Sequence, residues 1–109
     1  MKLKRLFNET DCIAGSNTAD YTGQLLILKH SSLSINMQLP EYQLWVAEDG
    51  FGTNPNSLGR AVYATCLSDG EYARWNRDAF LGIADPRKLP RWAKKITKKY
   101  FKKRYDKEN

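Results

Sequence analysis

Lysines arrive in adjacent pairs every four residues near the end of this chain: Lys94-Lys95, Lys98-Lys99 and Lys102-Lys103, joined by Arg91 and Arg104. Their chemistry is electrostatic capture of a polyanion, such as a phosphate backbone, or of an acidic protein surface. Phe101 and Tyr105 lie among these cations and offer anchors that stack on a base or fill a protein pocket. A second basic and aromatic group, Arg74, Trp75 and Arg77, falls on a short segment upstream.

Residues suited to covalent chemistry form no comparable pattern. His30 is the single histidine, and no Ser or Cys nucleophile is arranged around it in sequence. Glu48, Asp49, Asp69, Glu71 and Asp78 supply carboxylates, but most sit in or beside turn sequences, where turn chemistry and solvation account for them. Cys12 and Cys66 form no CxxC pair, and two cysteines with one histidine fall short of a zinc site. They read as small part-buried hydrophobes, reduced rather than bridged. The glycine-rich stretch over 50–59 lacks the Lys-Ser/Thr and following helix of a P-loop. It reads as a long structured loop, with Phe51 and Asn54 available for interaction. The sequence therefore predicts a protein that binds rather than catalyses, with no metal and no cofactor.

Charge divides the chain into two parts. Residues 1–84 hold seven Lys/Arg against nine Asp/Glu, a net −2, whereas residues 85–109 hold eleven against three, a net +8. So many cations in so short a stretch exceed what solubility requires. At 109 residues there is room for one domain, and 41% apolar with 12% aromatic content excludes a wholly disordered chain. The basic start is interrupted by Asn8-Glu9-Thr10-Asp11, where a secretory signal would continue apolar, so a cytoplasmic location is expected.

The elements that must position these residues follow from periodicity. Gln24 to Lys29 is a short apolar run suited to the middle of a sheet. Leu33, Ile35, Met37 and Leu39 alternate with polar residues and predict a strand with those four buried. Residues 42–47 and 60–67 predict two further strands, and residues 72–77 a fourth, joined to the one before it by a Ser68-Asp69-Gly70-Glu71 hairpin turn. Residues 2–7 fit either strand or helix. Beyond Asp85-Pro86, Pro90 fits a first helical turn and no breaker follows through Lys107. Leu89, Trp92, Ala93, Ile96 and Tyr100 then form an apolar stripe, with Phe101 and Tyr105 outside it. The expectation is α+β: an antiparallel sheet of four or five strands (1–84) with one long basic helix (85–109) packed on the same domain.

The run from Asn56 through Gly59-Arg60-Ala61-Val62-Tyr63, Ser68-Asp69-Gly70-Glu71 and Arg74-Trp75-Asn76-Arg77 to Ile83, then Leu89-Pro90-Arg91-Trp92-Ala93, is similar to small accessory proteins of plasmids, conjugative elements and phages of Gram-positive bacteria. Among such proteins are type II-A anti-CRISPR inhibitors. The resemblance implies a non-enzymatic inhibitor that binds a host type II CRISPR effector nuclease, alone or with its guide RNA. Many inhibitors of that group are acidic mimics of DNA, which a +8 tail cannot be. The basic helix would instead meet an acidic nuclease surface, or the guide RNA or target DNA of the complex. The alternative is an accessory or regulatory protein that contacts DNA or RNA directly. Neither reading involves a membrane, and the residues do not set the oligomeric state.

Overall fold

The computed structural model describes residues 5–49 and 61–108, the side chains of 49 and 104–108 excepted. Strand β1 (Leu25–Leu28) is apolar throughout because both of its faces are covered: Leu26, Ile27 and Leu28 are all fully buried. It lies between β2 (Leu44–Asp49) and β5 (Phe80–Ile83), and β3 (Ala61–Cys66) and β4 (Tyr72–Asn76) extend the sheet beyond β2. The order is β4-β3-β2-β1-β5, antiparallel at every pairing. Helix α1 (Arg91–Glu108) follows, so the fold is α+β. No described helix is long and apolar enough to cross a membrane.

Register divides the side chains into two layers. Leu26, Leu28, Trp45, Ala47, Val62, Ala64 and Cys66 face one way and pack with Tyr21 and Phe80. Ile27 and Leu44 face the other way and pack with Phe7, Cys12, Ala84, Leu89 and Ala93 beneath the helix. Cys12 and Cys66 are thus free thiols in separate layers, and burial pushes both up to about 11. Both are protonated at neutral pH and poor nucleophiles.

The β3–β4 hairpin forms as its Asp-Gly turn requires. Gly70 takes φ +76° and donates its amide to the Cys66 carbonyl at 2.9 Å, while the Asp69 side chain accepts the Glu71 amide. The expected strand over 33–39 is not a strand. His30–Ser32 and Ile35–Met37 are single 3₁₀ turns, and Ile35 is 86% exposed. Alternation specifies a face but supplies no hydrogen-bonding partner, and both sides of β1 are already occupied. Local bonds serve this stretch instead: the Leu33 amide donates to the His30 carbonyl, the Met37 amide to the Ser34 carbonyl, and the Gln38 side-chain amide to the Leu33 carbonyl. Of the four apolar residues, Leu33 packs on the core.

The strand expected to begin at Tyr42 begins instead at Leu44, because Pro40 opens a 3₁₀ turn over Pro40–Gln43. That turn buries Gln43, whose side-chain amide accepts from the Phe7 N–H (2.8 Å) and donates to the Phe7 (3.1 Å) and Leu28 (2.9 Å) carbonyls. One side chain thereby pairs the N-terminal segment that β1 cannot reach. Residues 5–8 are neither strand nor helix.

Strand β5 is held on its outer side by residues 12–16. The Ile13 amide donates to the Ile83 carbonyl, and the Ile83 amide donates to the Ser16 hydroxyl at 2.9 Å. Gly82, at φ +150°, makes room for this: a Cβ there would lie 2.7 Å from Ser16 Oγ.

Candidate functional site

Helix α1 docks through the stripe its spacing predicts. Leu89 and Ala93 are buried, Trp92 packs against Phe7 with ring centroids 5.8 Å apart, and Ile96 and Tyr100 are half-buried. Further along, the Tyr100 hydroxyl donates to Glu48 Oε1 at 3.2 Å, and Thr65 Oγ1 donates to the same oxygen at 3.1 Å. Glu48 is thereby a structural acceptor that seats the helix over β2 and β3. The opposite face presents the cations. Arg91, Lys94, Lys95, Lys98, Lys99, Lys102 and Lys103 are all exposed. Arg104 and Tyr105 lie on the same helix, with side chains outside the described residues, and Phe51, Asn54 and the whole 50–59 stretch also lie outside the described residues.

What aims the helix is the junction before it. Asp85 donates its amide to the Asp11 carbonyl, its carboxylate accepts from the Arg87 amide and guanidinium, and Lys88 Nζ reaches the Thr10 carbonyl at 2.7 Å. Asp11 is itself gripped twice by Arg5, at 3.1 and 2.9 Å. Burial raises the Asp11 carboxyl, yet the Arg5 hydrogen bonds, the Asn8 amide and the charges of Arg5 and Lys88 more than offset it, leaving it below the usual carboxylate range. Hydrogen bonds from the Arg87 side chain and amide lower Asp85 likewise. Depressed values mean stability that is full above the unfolded Asp pKa of about 3.9 and lost as pH falls through the folded ones. The thermal midpoint should therefore begin to fall below about pH 4, with a shallower acid limb in Asp85→Asn, whose contribution is already missing at neutral pH. An acid limb of unchanged depth in that variant would remove Asp85 from this role.

The helix and the β3–β4 turn enclose a groove of about 440 Å³, lined by Leu67, Ser68, Asp69 and Gly70 on one side and by Ile96, Lys99, Tyr100 and Lys103 on the other. Two of the predicted cations are thus set at the mouth of a cleft. Phe101 is 38% exposed and packs edge-on against Tyr100, centroids 5.5 Å apart. It lies outside the buried stripe, as its helical angle predicts.

The expected grouping of Arg74 with Arg77 is corrected by the fold. Arg77 is 6% exposed: Nε and Nη2 donate to the Asn17 carbonyl, Nη2 also to the Ala19 carbonyl, and the guanidinium lies 3.8 Å over the Tyr21 ring. It pins the 17–19 segment to the sheet and does not face a partner. β4 ends at Asn76, so Arg77 enters the Arg77–Ala79 turn and leaves the strand's alternation. Trp75 is half-buried and packs on the core, edge-on to Trp45 at 5.4 Å. Arg74 is on the same face of the sheet as α1, opposite Tyr63.

No protein-family model, curated protein or solved structure matches this chain.

Two residues that the sequence pattern does not single out come forward in this geometry. Tyr63 and Tyr72 sit diagonally across the hairpin, rings stacked at 6.1 Å with 16° between planes, on the face that α1 shares. Their signal is present in the chain, since the hairpin register places Tyr63, Thr65, Tyr72 and Arg74 on one face.

Proposed function

We propose that this chain is a non-enzymatic binding protein that takes the phosphate backbone of nucleic acid along α1. The observation that carries this is the exposure of seven cations, Arg91 through Lys103, on a helix whose apolar stripe is already committed to the sheet. Like charges four residues apart cost each other roughly 0.2–0.5 kcal/mol per pair, which a bound polyanion relieves. Glu48, Asp69 and Glu71 near the helix keep their negative charge, but the seven exposed cations outnumber them.

The test is the salt dependence of oligonucleotide binding. With about six phosphate contacts, affinity should fall some thousandfold between roughly 50 and 200 mM salt. Absence of binding at the lower concentration would overturn the reading.

A second reading keeps the same helix and changes its partner: inhibition of a type II CRISPR effector nuclease. It is supported by the resemblance over residues 56–83 and 89–93 and by Phe101, an exposed aromatic flanked by Lys98 and Lys102, the kind of residue that anchors protein interfaces. In that case the protein blocks target-DNA cleavage at about one chain per nuclease, and most affinity survives physiological salt, because a desolvated anchor is weakly screened.

A further inference from the structure

We propose that the sheet face beside α1 is a stacking platform that makes the chain select single-stranded over double-stranded nucleic acid. This rests on the phosphate-binding reading above and names which form of nucleic acid that site takes.

The platform is the stacked pair Tyr63 and Tyr72, with Arg74 in register opposite Tyr63. A cross-strand aromatic pair contributes to hairpin stability wherever it occurs. Here, however, Tyr72 remains 62% exposed, so most of its ring surface stays open after that contact is made. The pair is continuous with the cationic groove. Tyr100 of α1 meets Glu48, Glu48 meets Thr65, and Thr65 lies directly opposite Tyr72. Tyr63, Tyr72 and Arg74 therefore lie on the sheet face that α1 packs against, and Tyr100 joins that face to the groove that Lys99 and Lys103 line.

A duplex keeps its base faces stacked inside, and its phosphates alone are available to such a surface. A single strand offers bases and phosphates together, and aromatic side chains with flanking cations accept it with little regard to sequence. Exposed Asp69 and Glu71 on the turn side repel phosphate, which leaves the α1 side of the groove, with Lys99 and Lys103, as the side along which the backbone runs.

The experiment compares oligo(dT) with a duplex of the same length, by fluorescence anisotropy at fixed salt, for the native chain, Tyr72→Leu, Tyr63→Leu/Tyr72→Leu and Tyr72→Phe. Losing one stacked base should weaken oligo(dT) binding by roughly 5- to 150-fold in Tyr72→Leu while duplex affinity stays unchanged, and Tyr72→Phe should retain the native preference. Tyr72→Leu carries the test if the double variant does not fold, because Tyr72 is largely exposed. Equal affinity of the native chain for strand and duplex, or a loss in Tyr72→Leu that falls on both alike, would overturn the platform and leave phosphate binding standing. Failure of the native chain to bind either form at low salt would overturn the phosphate reading itself.

Discussion

Replacing Lys95, Lys98, Lys99, Lys102 and Lys103 together with glutamine is expected to weaken oligonucleotide binding by about 10²–10³-fold at low salt and to reduce the salt slope by roughly one for each phosphate no longer neutralised. All five side chains are exposed, and none belongs to the stripe of Leu89, Trp92, Ala93 and Ile96 that docks the helix. Glutamine is nearly as good a helix former as lysine, and its neutrality removes the i,i+4 repulsion, so helix content should be kept and the melting temperature should hold or rise slightly. That separates the variant from truncation after Leu89, which also strips Ala93 and Trp92 from the core. Affinity and slope both unchanged in the glutamine variant would show that α1 is a solvated face and no more. A slope that collapses while inhibition of a CRISPR nuclease persists would move the binding determinant to Phe101 and a protein partner.

The largest effect on stability is expected at Gly82. At φ +150° an L side chain is strained in any surroundings, a cost of roughly 1–3 kcal/mol. In addition the new Cβ would meet Ser16 Oγ at 2.7 Å and Cys12 Cβ at 3.4 Å. Ser16 cannot simply turn aside, because its hydroxyl accepts the Ile83 amide, and an orphaned buried amide costs a further ~1–3 kcal/mol. Gly82→Ala should therefore lose about 3–5 kcal/mol, a large part of the 5–15 kcal/mol typical of a whole domain. The measurement is a denaturant melt, and Gly82→Ala/Ser16→Ala should lose less than the sum of the two single variants, because the Ile83 amide is orphaned only once. A melt within about 1 kcal/mol of native would show that residues 12–16 pack loosely on β5.

The elements set by local chemistry follow directly from the residues. β1 is read from unbroken apolar residues, the β3–β4 hairpin from Asp69-Gly70, and α1 from Pro90 with the stripe beyond it. What local pattern misses depends on who pairs with whom. The alternation over 33–39 has the period of a strand, but β2 and β5 already hold both sides of β1. β5 itself, four residues with a glycine inside, is too short to announce a period, and it exists because β1 and residues 12–16 receive its backbone from either side. The site divides in the same way. Helical spacing alone puts the lysines outward, whereas proximity in sequence sets Arg77 beside Arg74, and the chain leaves the strand between them. Tyr63 and Tyr72 require a register, a property of two strands at once.

The Ser16 hydroxyl and the 12–16 backbone occupy the outer side of β5, so among the described residues the sheet offers an open edge at β4 alone. An edge that exists once per molecule supports a different kind of association from one that exists twice. Two copies joined β4 to β4 would be related by a twofold axis and would leave no strand free for a third. Strand pairing between copies of this chain would therefore stop at a closed dimer rather than lengthen into a filament.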